Sequence, residues 1–182
     1  MIARVEKSST REILSRLKDA GLQTIPGAGA ETLVDSVKDI ISPKKINSDE
    51  WVRIMEEAHS LDIPASATMM YGHVESNNDI MEHFYRLVKL QEKTNGFIAF
   101  IPWSFEPNNT LMQKEGLVNF GAGGTQLLKM IAISRIVFDG LIPHIQSSWL
   151  TNGVGMAQLA LDRKSTRLNS SHMSESRMPS SA

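Results

Sequence analysis

Four short stretches hold the side chains of this sequence that are able to do chemistry. They are Pro26, Gly27, Gly29 and Glu31; Tyr71, His73 and Glu75; Trp103, Glu106 and Asn108; and Ser148, Trp149 and Asn152. Between them they supply carboxylates and an imidazole that can exchange protons, hydroxyls and amides that can hydrogen-bond, and indoles that can wall an aromatic group. Taken singly, each reads as structural. A histidine after a strand is a hydrogen-bonded support, Trp103 and Trp149 are packing, and Glu31 favours the positive end of a following helix. What points to a site is that all four groups fall in the same kind of place along the chain. His59, on a helix face next to Met55, reads as structural, and "SPKK" at 42–45 as a solvated linker.

Each group follows a segment with strand character, and helices separate the segments. Ser9 and Glu12 have the spacing of a capping box; Ile13, Leu14, Leu17 and Ala20 then repeat at helical intervals up to Gly21, a C-terminal stop. "LQTIPG" reads as a strand, and "AGAETLVDSVKDII" as a helix starting in its small-residue run. Asn47 with Glu50 starts a helix that places Trp51, Ile54, Met55 and Ala58 on one face, before the strand "IPASATMMYG". Ile80, Phe84, Leu87 and Gln91 line a helix ending at Asn95-Gly96; "FIAFIPW" is a strand, "TQLLKMIAISRIVFDGL" a helix and "HIQSSWL" the fourth strand. Near-continuous apolar strands alternating with helices predict an α/β fold, a parallel sheet covered by helices. Four such units are half of an eight-fold (β/α) barrel, which takes about 250 residues. The predicted fold is therefore a partial TIM-type barrel with about four parallel strands. A doubly wound sheet would show the same alternation, but "GAGAE" lacks the G-x-G-x-x-G spacing of its phosphate loop.

Composition narrows the function classes. With 41% hydrophobic residues and a net charge of -1, the chain is globular. No basic patch interleaved with aromatics suggests nucleic acid, and no apolar run is long enough to predict a membrane span. "MIARVEKSST" lacks the apolar core of a signal peptide, so the default expectation is cytoplasmic. Zero cysteines exclude disulfides and thiolate metal sites within this chain.

"KSTRLNSSH" at 164–172 fits none of these patterns. A common short-read sequencing adapter can encode it, and the match extends to Asp162 and Arg163 upstream and to Ser176–Ala182 downstream. Residues 162–182 are accordingly expected to be translated adapter, disordered and without defined contacts to the core, on a gene cut at both ends. The biology is then expected in residues 1–161.

Three stretches, "GLQTIPGAGAETLVDSVKDIISPKK", "AHSLDIPASATMMYGHVES" and "GFIAFIPWSFEPNNT", resemble the radical S-adenosylmethionine enzymes of futalosine-dependent menaquinone biosynthesis. The similarity continues through "SSWLTNGVGMAQLAL". Trp103, where related aminofutalosine and deazaflavin-precursor synthases carry an aliphatic residue, and the "ISPKK" run point within that family to the dehypoxanthine futalosine cyclases. The resemblance implies that residues 1–161 are the C-terminal half of a barrel whose N-terminal part holds a four-iron, four-sulfur (4Fe-4S) cluster on a CxxxCxxC motif. It implies S-adenosylmethionine as cofactor and dehypoxanthine futalosine as a small-molecule substrate to be cyclised. It places Gly27, Gly29 and Glu31 near S-adenosylmethionine, gives Tyr71, His73 and Glu75 substrate contact or proton movement, and sets Trp103, Glu106, Ser148 and Trp149 around the substrate. Glu106 stands where the family pattern has glutamine, so a neutral hydrogen-bonding role does not transfer to it.

Overall fold

The structure is a computed structural model that describes residues 2–27, 29–162 and 166–167. In chain order the elements are α1 (Ile2–Val5), α2 (Thr10–Asp19), α3 (Asp35–Ile41), α4 (Ser48–Ser60), β1 (Ala65–Tyr71), α5 (Asn77–Thr94), β2 (Phe97–Ser104), α6 (Leu111–Lys114), α7 (Gly124–Val137), β3 (His144–Ser147), α8 (Trp149–Asp162) and β4 (Thr166–Arg167). α2, α4 and α5 start where a side-chain oxygen takes a free backbone N–H. Ser9 accepts from Glu12 N–H and Asn47 from Glu50 N–H, while Ser76 and Asp79 form a complete capping box. Asn95 ends α5 in the left-handed conformation that stops a helix.

β1, β2 and β3 form a parallel sheet in sequence order, with Ala67 opposite Phe100 and Phe100 opposite Ile145. One face of it meets the helices. Ala65, Ala67, Met69 and Tyr71 are buried there with Trp51 and Met55 of α4, Phe84 and Leu87 of α5, and Leu127, Met130 and Ile131 of α7. Phe84, Phe100 and Phe138 pack as a trio with ring centroids 4.8–5.5 Å apart, at separations and tilts favoured by aromatic pairs. His59 is structural, as read: its Nδ1 lies 2.8 Å from Thr94 Oγ1 and its ring stands edge-on to Phe97. Burial pushes that imidazole down to about 4.

Three expectations change. The strand expected at 22–27 contributes only a parallel bridge, Ile25 to Ala65. The reason is Pro26, which has no N–H to donate, and Gly27, which bonds to side chains of β1 instead of its backbone. The helix expected to start at the small-residue run starts at Asp35, because Glu31 O accepts from Met70 N–H and Leu33 N–H goes to His83 Nδ1. The strands seen are thus three of the four expected. Finally, β4 lies in the stretch expected to make no defined contacts, yet Thr166 and Arg167 pair in parallel with Gln146 and Ser147. An exposed strand edge offers hydrogen bonds to any extended segment within reach. The rest of the expected adapter sequence, 163–165 and 168–182, lies outside the described residues.

Candidate functional site

Alternation along β1 sends Ser66, Thr68 and Met70 to the face away from the helices, and the register places Ile101 and Trp103 of β2 beside Thr68 and Met70 on that face. The loop after Ile25 is fastened there. Gly27 N–H donates to Ser66 Oγ at 2.9 Å, and Thr68 Oγ1 donates to Gly27 O at 2.8 Å. A Cβ on Gly27 would come within 1.8 Å of Ser66 O, so glycine is required by close approach to the strand. Gly29, with φ +94°, has open space where its Cβ would be. Glu31 has φ +40° and a buried carboxylate, which is ion-paired through Oε1 with Lys45. Lys45 therefore does not belong to a merely solvated linker. The "SPKK" run gave no hint of this, since its partner is fourteen residues away.

Tyr71, His73 and Glu75 sit differently from the way their spacing suggests. Tyr71 lies on the helix side, 2% exposed, with its hydroxyl unpartnered. Burial and the nearby Glu75 charge push that phenol above its ordinary range. His73 turns its ring inward, with no exposed side-chain surface. Its Nε2 is 3.2 Å from Met70 O, and its Nδ1 lies between Val74 N–H at 2.8 Å and Glu75 Oε2 at 3.0 Å. Unprotonated, Nδ1 accepts from Val74; protonated, it donates to Glu75. Glu75 also takes the N–H groups of Gly72 at 2.5 Å and His73 at 2.8 Å. Burial alone would raise its carboxyl, but the His73 ring and these two N–H donors outweigh it and hold the group below the ordinary range. Both residues close the β1–α5 loop on itself.

At the ends of β2 and β3, Ser104 Oγ donates to Asn152 Oδ1, and Asn152 Nδ2 donates to Ser148 O. Asn152 thereby ties Ser148 and the start of α8 at Trp149 to the end of β2. Trp103 and Trp149 are half-buried, whereas Glu106 is exposed and occupied by its own turn through Asn108 Nδ2. The structure thus brings Gly27, Glu31 and Trp103 to the Ser66–Met70 stretch of β1, and joins Ser148 through Asn152 to β2. It leaves Tyr71 on the opposite face and Glu106 apart.

Known proteins give this arrangement its context. Residues 4–87 match the radical SAM superfamily, and residues 94–182 match the family described as the CofH/MqnC C-terminal region. The two matches lie one after the other and together span most of the chain. Among its relatives is a Methanocaldococcus jannaschii protein, 45% identical over 151 residues, covering 83% of this chain and 42% of the relative. A Methanosphaerula palustris protein is 47% identical over 153 residues, 84% of this chain and 42% of the relative. One from Methanosarcina acetivorans is 39% identical over 178 residues, 96% of this chain and 47% of the relative. All three are named as 5-amino-6-(D-ribitylamino)uracil--L-tyrosine 4-hydroxyphenyl transferases, and none as a futalosine cyclase. The chain spans less than half the length of these curated relatives.

The radical SAM match implies S-adenosylmethionine and a 4Fe-4S cluster in general. This chain contains no cysteine, so its residues do not fit the cluster. For S-adenosylmethionine the fit differs by residue. Gly29 has free space around it, whereas Gly27 is pressed onto its own strand and the Glu31 carboxylate is buried against Lys45. Sequence reasoning missed four neighbours: Ser66 and Thr68, which fasten the loop, and Lys38 and Lys45, which flank Glu31 electrostatically. Among the described residues no helix is long and apolar enough to cross a membrane.

Proposed function

We propose that this chain is part of a radical SAM enzyme that joins an aryl group to a nucleobase-like acceptor, as the names of its relatives describe: transfer of the 4-hydroxyphenyl group of L-tyrosine to 5-amino-6-(D-ribitylamino)uracil. The observation that carries the proposal is the shared name of relatives 39–47% identical across most of this chain. Bound S-adenosylmethionine supplies this superfamily with a radical that abstracts hydrogen. The residues of this chain then have three tasks. The loop fixed by Gly27 sets Gly29, with open space where a side chain would begin, on the cofactor side, and Glu31 follows two residues on. Trp103, with Ile101 and Met70, lines the face away from the helices with apolar surface that keeps water from a reactive intermediate and can stack on an aryl ring. Ser148 and Trp149, drawn in by Asn152, border the same end of the sheet. Tyr71, His73 and Glu75 set the shape of the β1–α5 loop, with the imidazole available for proton movement only where that loop opens.

The cyclase reading rests on two features, Trp103 and the "ISPKK" run. One experiment separates the two activities. The full-length protein containing this chain, reconstituted anaerobically, is offered L-tyrosine with 5-amino-6-(D-ribitylamino)uracil and, separately, dehypoxanthine futalosine. The expected outcome is an aryl-uracil adduct detected by mass spectrometry only in the first mixture. A cyclised product two hydrogens lighter than its substrate in the second, with no adduct in the first, replaces this reading with the cyclase.

A further inference from the structure

Between Ile25 and the start of α3 at Asp35, none of the described residues belongs to a helix or strand, so this turn is held by individual hydrogen bonds. Gly27 is fastened to Ser66 and Thr68, Glu31 O accepts from Met70 N–H at 2.7 Å, and Leu33 N–H donates to His83 Nδ1 at 2.9 Å. The first two attachments go to β1. The third goes to a side chain of α5, fifty residues along the chain. His83 has no exposed surface, and its ring packs against Phe84 and Phe100 with centroids 6.2 and 6.4 Å away. A ring nitrogen that accepts an N–H carries no proton, so the imidazole is neutral with its hydrogen on Nε2. That Nε2 has no hydrogen-bond partner, although the Thr68 backbone stands near the ring. An aliphatic side chain would fill the same space without an unpaired donor. What the imidazole adds is the acceptor for Leu33.

We propose that His83 is a positioning residue for the cofactor side of the site: by accepting from Leu33 N–H it fixes the far end of the Gly29–Leu33 turn, and through the turn the places of Gly29 and Glu31. His83 is too enclosed to touch a ligand and acts only through that bond. The turn has a residue in the left-handed region at Glu31, φ +40°, a conformation that persists only when its surroundings fix it. The bond from Met70 holds that residue itself, and the bond to His83 holds the chain two residues later. The inference rests on reading this turn as the S-adenosylmethionine side, as the radical SAM match implies. It is indifferent to which substrate receives the radical. A test by cofactor binding therefore fails separately from the transferase reading.

The experiment compares the full-length protein containing this chain, reconstituted anaerobically, with its His83→Leu and His83→Asn variants. Leucine fills the space and offers no acceptor. The Oδ1 of asparagine stands two bonds from Cβ, as Nδ1 does, and accepts from the same N–H. Two quantities are read: the affinity for S-adenosylmethionine by equilibrium binding, and hydrogen exchange of the 29–33 segment by mass spectrometry. In His83→Leu, binding should weaken and exchange at Leu33 should speed up, each by about tenfold or more, because a buried N–H is left unpaired. His83→Asn should return both to within about threefold of the parent. A folded His83→Leu protein that binds S-adenosylmethionine within about twofold of the parent overturns the proposal, as does a folded His83→Asn protein that does not regain affinity. If leucine prevents folding, His83→Gln takes its place. Its oxygen stands three bonds from Cβ, where Nε2 is and Nδ1 is not, so it should reproduce the loss of affinity. Parent-like binding by that variant shows that His83 only fills space.

Discussion

Replacing His73 by alanine should destabilise the chain. The ring is shielded completely, and the substitution removes its bonds with Val74 N–H at 2.8 Å and Met70 O at 3.2 Å, together with the edge-on contact to Phe105 at 6.0 Å. Two hydrogen bonds at about 1 kcal/mol each, plus about 0.5–1.5 kcal/mol for the ring contact, give a loss of about 2–4 kcal/mol. For a chain of this length that is a fall in Tm of about 4–16 °C. The assay pairs thermal and urea unfolding of the variant with turnover per folded molecule of the full-length protein. The expected result is that stability falls and turnover per folded molecule drops less than about tenfold. A variant of unchanged stability whose turnover falls by about a hundredfold or more would refute the reasoning, because it would make the imidazole a reacting group that merely happens to be enclosed.

Acid should destabilise the fold before ordinary carboxylates protonate. His59 is held down at about 4 and His83 at about 3, both chiefly by burial, so each binds its proton more readily in the unfolded chain. Their contribution is complete above the ordinary histidine range, near pH 6.5, and is lost as pH falls toward the folded values. For His59 this is about 3 kcal/mol, and urea midpoints of His59→Gln should be flatter than the parent's between pH 6.5 and 4. Gly27→Ala, whose Cβ would overlap Ser66 O, should lose about 2–4 kcal/mol through displacement of the loop and its two bonds to β1. A change within about 0.5 kcal/mol would mean the loop is not pressed onto the strand. Deleting residues 162–182, which we propose to be translated adapter, should cost about 1 kcal/mol or less, since the described part contributes only the last residue of α8 and the short β4 strand. Cooperative loss of helix in circular dichroism would show that the segment belongs to the fold.

The parts of this fold that were legible are those decided locally. Ser9 and Asn47 cap the helices they were expected to cap, because capping needs only a side-chain oxygen and an N–H three residues on. What could not be read was decided at a distance. "LQTIPG" has strand composition, but its hydrogen bonds go to Ser66 and Thr68, some forty residues later in the chain. Tyr71, by contrast, was decided within its strand: Ser66 and Thr68 alternate with Ala65, Ala67 and Met69, which turns the phenol to the helix side, whereas position at the strand end alone grouped it with the site. The inward Lys38 and outward Ile40 run against the pattern that hydrophobicity alone would assign to α3. Three of the four groups lie at or just after the ends of β1, β2 and β3, yet sharing a neighbourhood did not mean sharing a face.

The break in α8 has a mechanical consequence. Gly153, with φ +78° and ψ 159°, interrupts the helix immediately after Asn152, the residue bonded to both Ser104 and Ser148. The stub before the break is anchored to the ends of two strands, while the longer arm after it pivots on a residue with no atom within 4 Å of where a side chain would begin. That longer arm is itself seated in the core through Ala157 and Ala160, so the break lets one helical stretch meet the strand ends and the next meet the core along a different direction. A larger residue at 153 would strain the positive φ and set those two seatings against each other.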